Sequence, residues 1–478
     1  MDQDDLLAMS TLPGDEFMRK CHALRDVVEN ILPAIAALDS LDKFKQELDT
    51  RFKFLKKDEM LRVVSKYIAL HEEFEGNQNI SGEIIKGIFE EFKAEPWGPR
   101  VATEMHEWVS RPSRKPVMLE LFVVSAVSSF EVLMARLVDF FFRAAPEALE
   151  NVAREREKEF SLKDLKTMDS IDDAVDLAIS RRVDEIMFGS FADWRKFFLD
   201  RMNIKFEDCA VDWNGLKETF QRRHILVHNG GMISKRYLSN ISNEDRKELA
   251  VGGRIVTDEA YVRTAIDSIA TFGTLLSASV QKKFCSRDAD VDYIGHCLNG
   301  YAYKELQAKR YSCVSKMTSF IRGMELSDGS RLTAQVNNWI ARDQMIPGSV
   351  NSEVTAWDVS ALGDRYKLAK YCLLGEVDEA VKLARSLYGN EELSVEDVLE
   401  WPLFDPIRNE GKFGQFVETL AVPEEWFLAR EECVLNPAGI IHKASCRYAK
   451  IEWMRIDPTI DSAYRRCRSC FSEPDLSL

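Results

Sequence analysis

The sequence predicts a mostly α-helical protein that contains several domains. Apolar residues recur three and four positions apart from Asp15 to about Val109, and the same period returns through much of the chain after Val117. Alternating patterns typical of strands are scarce before the C-terminus. A length of 478 residues exceeds what one ordinary hydrophobic core supports. We therefore expect a multi-domain helical protein that ends in a small module with a β-hairpin and a short helix.

Breaks in the helical pattern divide the chain into four segments. The prolines of "SRPSRKPV" mark the first boundary, and the helix "TDEAYVRTAIDSIATFGTLLSASVQ", with Thr257 as its expected N-cap, closes the second segment. In the third segment two short helices meet at Gly375, as in a tetratricopeptide-type repeat or an ordinary helical hairpin. The expected domains are an N-terminal helical region at 1–112, a helical domain at 113–284, a helical region at 285–422 and a C-terminal module at 423–478.

Composition and charge narrow the classes of function. The N-terminus "MDQDDLLAMS" carries acids where a secretory leader would carry lysine or arginine, and the apolar run from Val117 contains charges typical of an amphipathic soluble helix. Ten cysteines without a secretion signal favour reduced thiols in the cytoplasm. A net charge of −15 argues against indiscriminate coating of nucleic acid but leaves room for a local basic site. We expect a cytoplasmic protein that does not cross a membrane.

Two of the seven histidines lie four residues apart in "QRRHILVHNGG", residues 221 to 231. Leu216, Phe220 and Val227 fit one buried stripe of a helix that ends near His228, and the "NGG" that follows is a typical helix stop. The negative end of the helix dipole would favour protonated His228, which suits a residue that transfers protons near neutral pH.

Arg223 and His228 are poorly placed to act together from one helix. On an ideal helix they are separated by about 140° of rotation and about 7.5 Å along the axis. A second copy of the helix, related by a two-fold axis, would place each histidine opposite arginines of both chains. The spacing therefore favours a homodimer formed through this domain.

The segment resembles the Arg-x4–6-His motif of HEPN domains. Arg223 is followed by His224 and, after three further residues, by His228, and the flanking "SAVSSFEVLMARLV" and "GSFADWRKFFLDRM" extend the resemblance over about residues 115 to 284. The resemblance implies a HEPN-type helical bundle and a metal-independent endoribonuclease that needs no cofactor for catalysis. In this chemistry the ribose 2′-OH of RNA attacks the adjacent phosphate and leaves cyclic phosphate and 5′-OH ends. A toxin-like or antiviral defence role is implied as well.

Five residues form the candidate catalytic set. His228 would act as general acid or base, and Arg223 would hold the pentavalent phosphate, whose extra charge develops in the transition state. Arg222 also satisfies the spacing of the motif. His224 lies close enough on an ideal helix to orient His228 or share a phosphate, and Glu131 would project into the same cleft and favour the protonated histidine.

Each of these assignments has a simpler alternative. His224 and His228 at a four-residue spacing would suit zinc, although no third ligand is identifiable nearby. The arginines and histidines would equally form a solvated helix face, or the domain would serve as a non-catalytic dimerisation or binding module. Glu131 would in that case form an ion pair with Arg136 or with an arginine of another helix.

A second group of candidate ligands lies in the C-terminal module. "ECVLNPAGIIHK" predicts a small hairpin. His442 and Cys446 form one close pair and, after twenty residues, Cys467 and Cys470 form another, the arrangement that a tetrahedral zinc ion requires. The segment resembles the zinc module of the Ada type, from which it departs by having His442 in place of a cysteine. A structural Zn²⁺ is the expected cofactor.

The same module is basic. Residues 441 to 470 hold seven lysines and arginines against three acids, with Tyr448, Trp453 and Tyr464 interleaved. Phosphate attraction and base stacking make this segment a candidate for contact with DNA or RNA, and a solvated zinc knob is the alternative. The candidate nucleic-acid residues are Lys443, Arg447, Arg465, Arg466 and Arg468.

Replacing both Cys467 and Cys470 by serine is expected to release about one zinc ion per chain and to unfold only this module, because ligation supplies most of the folding free energy of so small a segment. Metal analysis of freshly purified protein measures the first effect. The unfolding transition of the helical region serves as the control and should not move. Full metal content in the double variant would contradict the predicted site.

Overall fold

The computed structural model is mostly helical, as the sequence predicts. It divides into two units, Met1–Met345 and Ile346–Leu478. The residues that it describes are 3–38, 41–74, 82–110, 113–149, 160, 164, 166, 168–247, 249–420, 433–435, 440–443, 454–456 and 465–466.

The described helices of the first unit follow one another along the chain with short connections between many of them. They are α1 (Gln3–Asn30), α2 (Leu32–Leu38), α3 (Leu41–Arg51), α4 (Lys57–Phe74), α5 (Gly82–Phe92), α6 (Gly98–Ser110), α7 (Arg114–Ala144), α8 (Ile171–Met187), α9 (Phe191–Met202), α10 (Phe206–Cys209), α11 (Trp213–Asn229), α12 (Lys235–Asn240), α13 (Glu259–Phe284), α14 (Asp288–Gln307), α15 (Tyr311–Arg322) and α16 (Asp328–Met345).

The centre of the first unit is formed by α1, α7 and α13. Phe130 of α7 packs edge-on against Phe17 of α1 and Phe220 of α11, and its ring centroid lies 5.1 Å from that of Phe272 in α13. Among the described helices, α7 is also the one long and apolar enough to cross a membrane, judged by length and composition. In this structure its apolar face is packed into the core.

This core extends beyond the segment boundaries that the sequence suggests. Helix α1 packs against both α7 and α13, so the start of the expected N-terminal region shares the core of the second segment. The core continues through α14 to α16 as far as Ala334. Helices α3 to α6 surround a separate apolar cluster that contains Phe52 and Phe92.

Helix α11 ends where the sequence predicts, since Gly230 follows Asn229 with a φ of 55° and serves as the C-cap. The predicted stripe is correct for Leu216 and Phe220, which are buried, but wrong for Val227, which is 48 % exposed. The reason is that the last turn of α11 buries a different face of the helix from the one that carries Leu216 and Phe220. There Ile225 is buried in a small cluster with residues that follow the helix.

The predicted N-cap of α13 is wrong by one residue. The side chain of Asp258, rather than that of Thr257, accepts a hydrogen bond from the Tyr261 N–H at 2.7 Å. A carboxylate suits this position because it also faces the positive end of the helix dipole.

The second unit begins with helices and ends with short strands. Its helices are α17 (Asn351–Ala356), α18 (Asp364–Leu374), α19 (Val377–Gly389), α20 (Val395–Glu400), a 3-10 turn at Pro402–Phe404 and α21 (Gly411–Val417). Helices α18 and α19 form the predicted hairpin around Gly375, which has a φ of 70°. The small residues Ala369, Ala380 and Ala384 are buried in it.

Among the described residues of the second unit, four strands make a sheet with the order β3-β1-β2-β4. The strands are β1 (Cys433–Leu435), β2 (Ile440–Lys443), β3 (Met454–Ile456) and β4 (Arg465–Arg466). Strands β1 and β2 pair antiparallel on either side of "NPAG", whereas β2 and β4 pair in parallel.

Gly273 of α13 lies in close contact with side chains of α1 and α7. A Cβ atom there would lie 2.6 Å from Cζ of Phe17 and 2.9 Å from Cδ2 of Leu133. Gly273→Ala is therefore expected to lower the free energy of unfolding by about 1–3 kcal/mol through overpacking, despite the higher helix propensity of alanine. Gly300, exposed in α14 with open space around it, is the matched control, and Gly300→Ala should stabilise by about 0.5–1 kcal/mol. Urea unfolding measures both, and equal changes would contradict this packing.

Candidate active site

Arg223 of α11 and Glu131 of α7 form an ion pair between the two helices. Nη2 of Arg223 donates to Oε2 of Glu131 at 2.9 Å. Burial raises the pKa of the Glu131 carboxyl, and the positive charge of Arg223 opposes this shift. Nε of Arg223 is buried and donates to no acceptor among the described residues, so the guanidinium keeps an unmet donor. Glu131 therefore pairs with an arginine of another helix, whereas Arg136 pairs with Glu16.

His224 and His228 lie against each other in the last turns of α11. Their ring centroids are 4.8 Å apart. Partial burial, followed by the nearby charges of His228, Arg236 and Arg223, lowers the pKa of His224 from its usual value of 6.5. His224 is therefore mainly neutral at pH 7 and able to accept a proton. Within the part of the chain that the structure describes, no group of three or more histidine, cysteine or carboxylate side chains could hold a metal ion.

A cleft of about 1160 Å³ opens beside α11. Phe191 of α9 and Phe220 line it, and their rings stack with centroids 4.1 Å apart. His224 also lines the cleft, whereas His228, one turn later, is exposed and is not among the lining residues. The charged side chains of its wall are Arg195, Lys217, Arg223, Arg236, Glu131 and Glu207. The cleft is thus a cationic concavity in a protein of net charge −15.

Arg222 points away from this cleft. Its side chain is buried, Nε donates to Oε1 of Glu218 at 2.8 Å, and Nη1 donates to the carbonyl of Val256 at 2.8 Å. The guanidinium carbon lies 3.6 Å from the centroid of the Tyr261 ring. None of these partners lines the cleft. Arg222 therefore does not fit the predicted catalytic role, and of the two arginines only Arg223 faces the cleft.

Glu218, one turn before Arg222, accepts hydrogen bonds from three side chains. Besides Arg222, the hydroxyls of Tyr237 and Tyr261 donate to its carboxylate, the latter at 2.5 Å. Burial, and next the charge of Glu218, raise the pKa of both tyrosines, so both hydroxyls stay protonated and donate. Tyr237 belongs to α12 and is held inside, and its neighbour Arg236 lines the cleft.

Three cations of the cleft are not among the residues that the motif predicts. Lys217 precedes His224 by seven residues, two helical turns, so the helical period would have placed both on one face. Arg195 of α9 and Arg236 of α12 come from other helices. No spacing in the sequence brings those two to α11, because their positions depend on how the helices pack.

Several C-terminal candidates lie outside the described residues, namely Cys446, Arg447, Cys467, Arg468 and Cys470. The backbones of His442 and Lys443 belong to β2, and those of Arg465 and Arg466 belong to β4. The parallel register of these strands pairs Ile441 with Arg466. The backbone of one expected zinc ligand and those of three expected basic contacts therefore lie on neighbouring strands. The zinc site and the nucleic-acid surface stay predictions.

No family model, curated protein or solved structure matches the chain. The resemblances to HEPN domains and to the Ada-type module therefore rest on the motif residues themselves. The contacts of Arg223, Glu131 and His224 are a separate observation, because they follow from the packing of α7, α11 and α12.

Arg236→Gln is expected to raise the pKa of His224, because it removes one of the positive charges that disfavour the imidazolium. Lys235→Gln is the matched control, since Lys235 lies on the same short helix but is not among the charges that act on His224. An NMR titration of the imidazole protons, assigned with His224→Ala, measures the midpoint. A midpoint for Arg236→Gln at or below that of the parent protein would contradict the placement of Arg236.

Proposed function

We propose that this protein is a metal-independent endoribonuclease of the HEPN type. The observation that carries the proposal is that a guanidinium with an unmet donor and a neutral imidazole line one cationic cleft, and that a second imidazole lies against the first. These are the groups of Arg223, His224 and His228. The reaction needs a base, an acid and a positive group at the phosphate, and this set offers all three.

The proposed chemistry uses a nucleophile supplied by the RNA. Neutral His224 removes the proton of a ribose 2′-OH, and the 2′-oxygen attacks the adjacent phosphorus. His228 gives a proton to the departing 5′-oxygen, which leaves a 2′,3′-cyclic phosphate and a 5′-OH end. Arg223 stabilises the charge that develops on the phosphate oxygens.

The proposal includes a homodimer. Val227 is exposed on α11 one residue before His228, and Met232 is exposed shortly after the helix ends. Apolar side chains beside the candidate site fit a surface that a second α11 covers. A toxin-like or antiviral defence role in the cytoplasm, and a C-terminal zinc module that contacts nucleic acid, belong to the same proposal.

A non-catalytic interaction protein with a structural zinc knob is the second candidate function. The ion pair between Arg223 and Glu131 favours it, because each side chain already has a partner of opposite charge without any ligand. In such a protein both side chains would serve to hold α11 against α7.

Incubation of purified protein with labelled RNA in EDTA separates the two candidates. We expect cleavage with cyclic phosphate ends, because neither the nucleophile nor the charge stabilisation depends on a metal ion. His228→Ala should abolish cleavage, and Arg223→Ala should lower its rate by about 10²-fold or more. Arg222→Ala shows how a loss of folding differs from a loss of chemistry, because Arg222 holds Glu218 and does not line the cleft. It should lower the free energy of unfolding by about 3 kcal/mol or more, because it breaks a buried ion pair.

Urea unfolding of all three variants accompanies the rate measurements. His228→Ala should unfold like the parent protein, and Arg223→Ala should lose less stability than Arg222→Ala because its ion pair is only partly buried. Full cleavage by the pure His228→Ala protein would exclude the proposed site. The absence of cleavage by a well-folded parent protein on every RNA tested would favour the interaction protein instead.

A further inference from the structure

Phe188 is the most exposed large apolar side chain among the described residues, at 96 %. It lines the cleft at the junction of α8 and α9. The other large aromatics of the cleft pack on one another, since Phe191 stacks on Phe220 at 4.1 Å and contacts Trp213 at 5.8 Å. Phe188 makes no ring contact of this kind with any described residue. Its position therefore has no explanation in packing.

The backbone beneath Phe188 is held firmly. Its N–H donates to the carbonyl of Asp184 at 2.9 Å, and the next N–H, that of Gly189, donates to the carbonyl of Ile186 at 3.0 Å. Nε1 of buried Trp194 donates to the same Ile186 carbonyl at 2.9 Å. An exposed ring on an ordered turn loses little conformational entropy when a flat partner stacks on it.

The surroundings of Phe188 suit a polyanion. Arg195, Lys217, Arg223 and Arg236 share the cleft with it, against two carboxylates. Arg195 and Arg223 are paired with those carboxylates, whereas Lys217 and Arg236 form no ion pair with any described residue. A volume of about 1160 Å³ exceeds the usual size of a pocket for one small molecule and fits a short stretch of a polymer.

We infer that Phe188 is a base-stacking residue that makes the cleft selective for single-stranded RNA. An unpaired base lies on the Phe188 ring while Lys217 and Arg236 hold the flanking phosphates, which places the backbone beside Arg223 and His224. The inference rests on the proposed function for its RNA substrate. In a duplex the bases are already stacked and paired, so they have no free face to offer this ring.

A protein partner fits the same residue less well. An apolar docking surface needs a continuous apolar patch, and the rim here carries Ser190, Ser239 and Asn240 besides the cations. Ile171, the other strongly exposed apolar residue of the α8 segment, is 83 % exposed but lies at the opposite end of that helix. Seventeen residues of helix separate it from Phe188 by about 25 Å.

Binding is measured with a fluorescent 2′-O-methyl RNA strand, which lacks the 2′-OH nucleophile and so is not cleaved, and with its duplex. Phe188→Ala and Phe188→Leu should each weaken binding of the single strand by about tenfold, because one base–aromatic stack contributes roughly five- to hundredfold in affinity. Phe188→Trp should keep the affinity of the parent protein. Ile171→Ala removes another strongly exposed apolar side chain that lies outside the cleft, so it is the matched control and should bind unchanged. Duplex binding should be weaker and insensitive to Phe188.

Unchanged single-strand affinity in Phe188→Ala would overturn the inference. Unchanged single-strand affinity in Phe188→Leu would also overturn it, because leucine preserves the apolar contact but cannot stack on a base. A change in sedimentation of Phe188→Ala without a change in RNA affinity would assign the ring to a protein contact instead.

Cleavage assays on native RNA of the same sequence tell this inference from the proposed function. If RNA binding depends on Phe188 but the parent protein cleaves no RNA, the inference is retained and the proposed nuclease activity is rejected. If the parent protein cleaves RNA and Phe188→Ala does so with the same KM and kcat, the proposed function is retained and the inference is rejected.

Discussion

The buried carboxylate of Glu218 is the group on which the geometry of the candidate site depends. It is 5 % exposed, and a charge so far from water requires donors around it. Arg222, Tyr237 and Tyr261 supply them from α11, α12 and α13. Three helices are therefore joined at one polar point, and the loss of any donor would leave the charge with too few partners. This network sets the rotation of α11 and, through Tyr237, the position of α12.

The rotation of α11 gives two neighbouring arginines opposite roles. Successive side chains on a helix point about 100° apart. The rotation of α11 that directs Arg222 to Glu218 therefore directs Arg223 toward α7 and the cleft. Arg222 has three partners away from the cleft, in Glu218, the Val256 carbonyl and the Tyr261 ring. Arg223 has one carboxylate partner and an unmet Nε. A residue with spare donors is suited to a ligand, whereas one with every contact satisfied is suited to holding the fold.

The cations of the cleft act in two ways at once. In a chain of net charge −15 they create a local region of net positive charge, which suits the phosphates of the proposed substrate. The charges of Arg236 and Arg223 also help to keep His224 neutral, which suits it to accept a proton. The hydrogen bond of Tyr237 to Glu218 fixes α12 and, with it, the neighbouring Arg236 in the wall of the cleft. The buried network and the electrostatics of the cleft are therefore physically connected.

By itself the sequence determined the helical class, the stop of α11 at Gly230, the hairpin at Gly375 and the motif that contains Arg223, His224 and His228. These are local properties, since helical period, caps and glycine stops depend on residues a few positions apart. Tertiary structure alone decided that Arg222 is buried, that Glu131 meets Arg223 and that Arg236 lines the cleft. It also decided that α1 joins the core of α7 and α13, with Gly273 in close contact with Phe17 and Leu133. Contacts between residues tens or hundreds of positions apart depend on how whole helices pack, and no local spacing in one sequence specifies that arrangement.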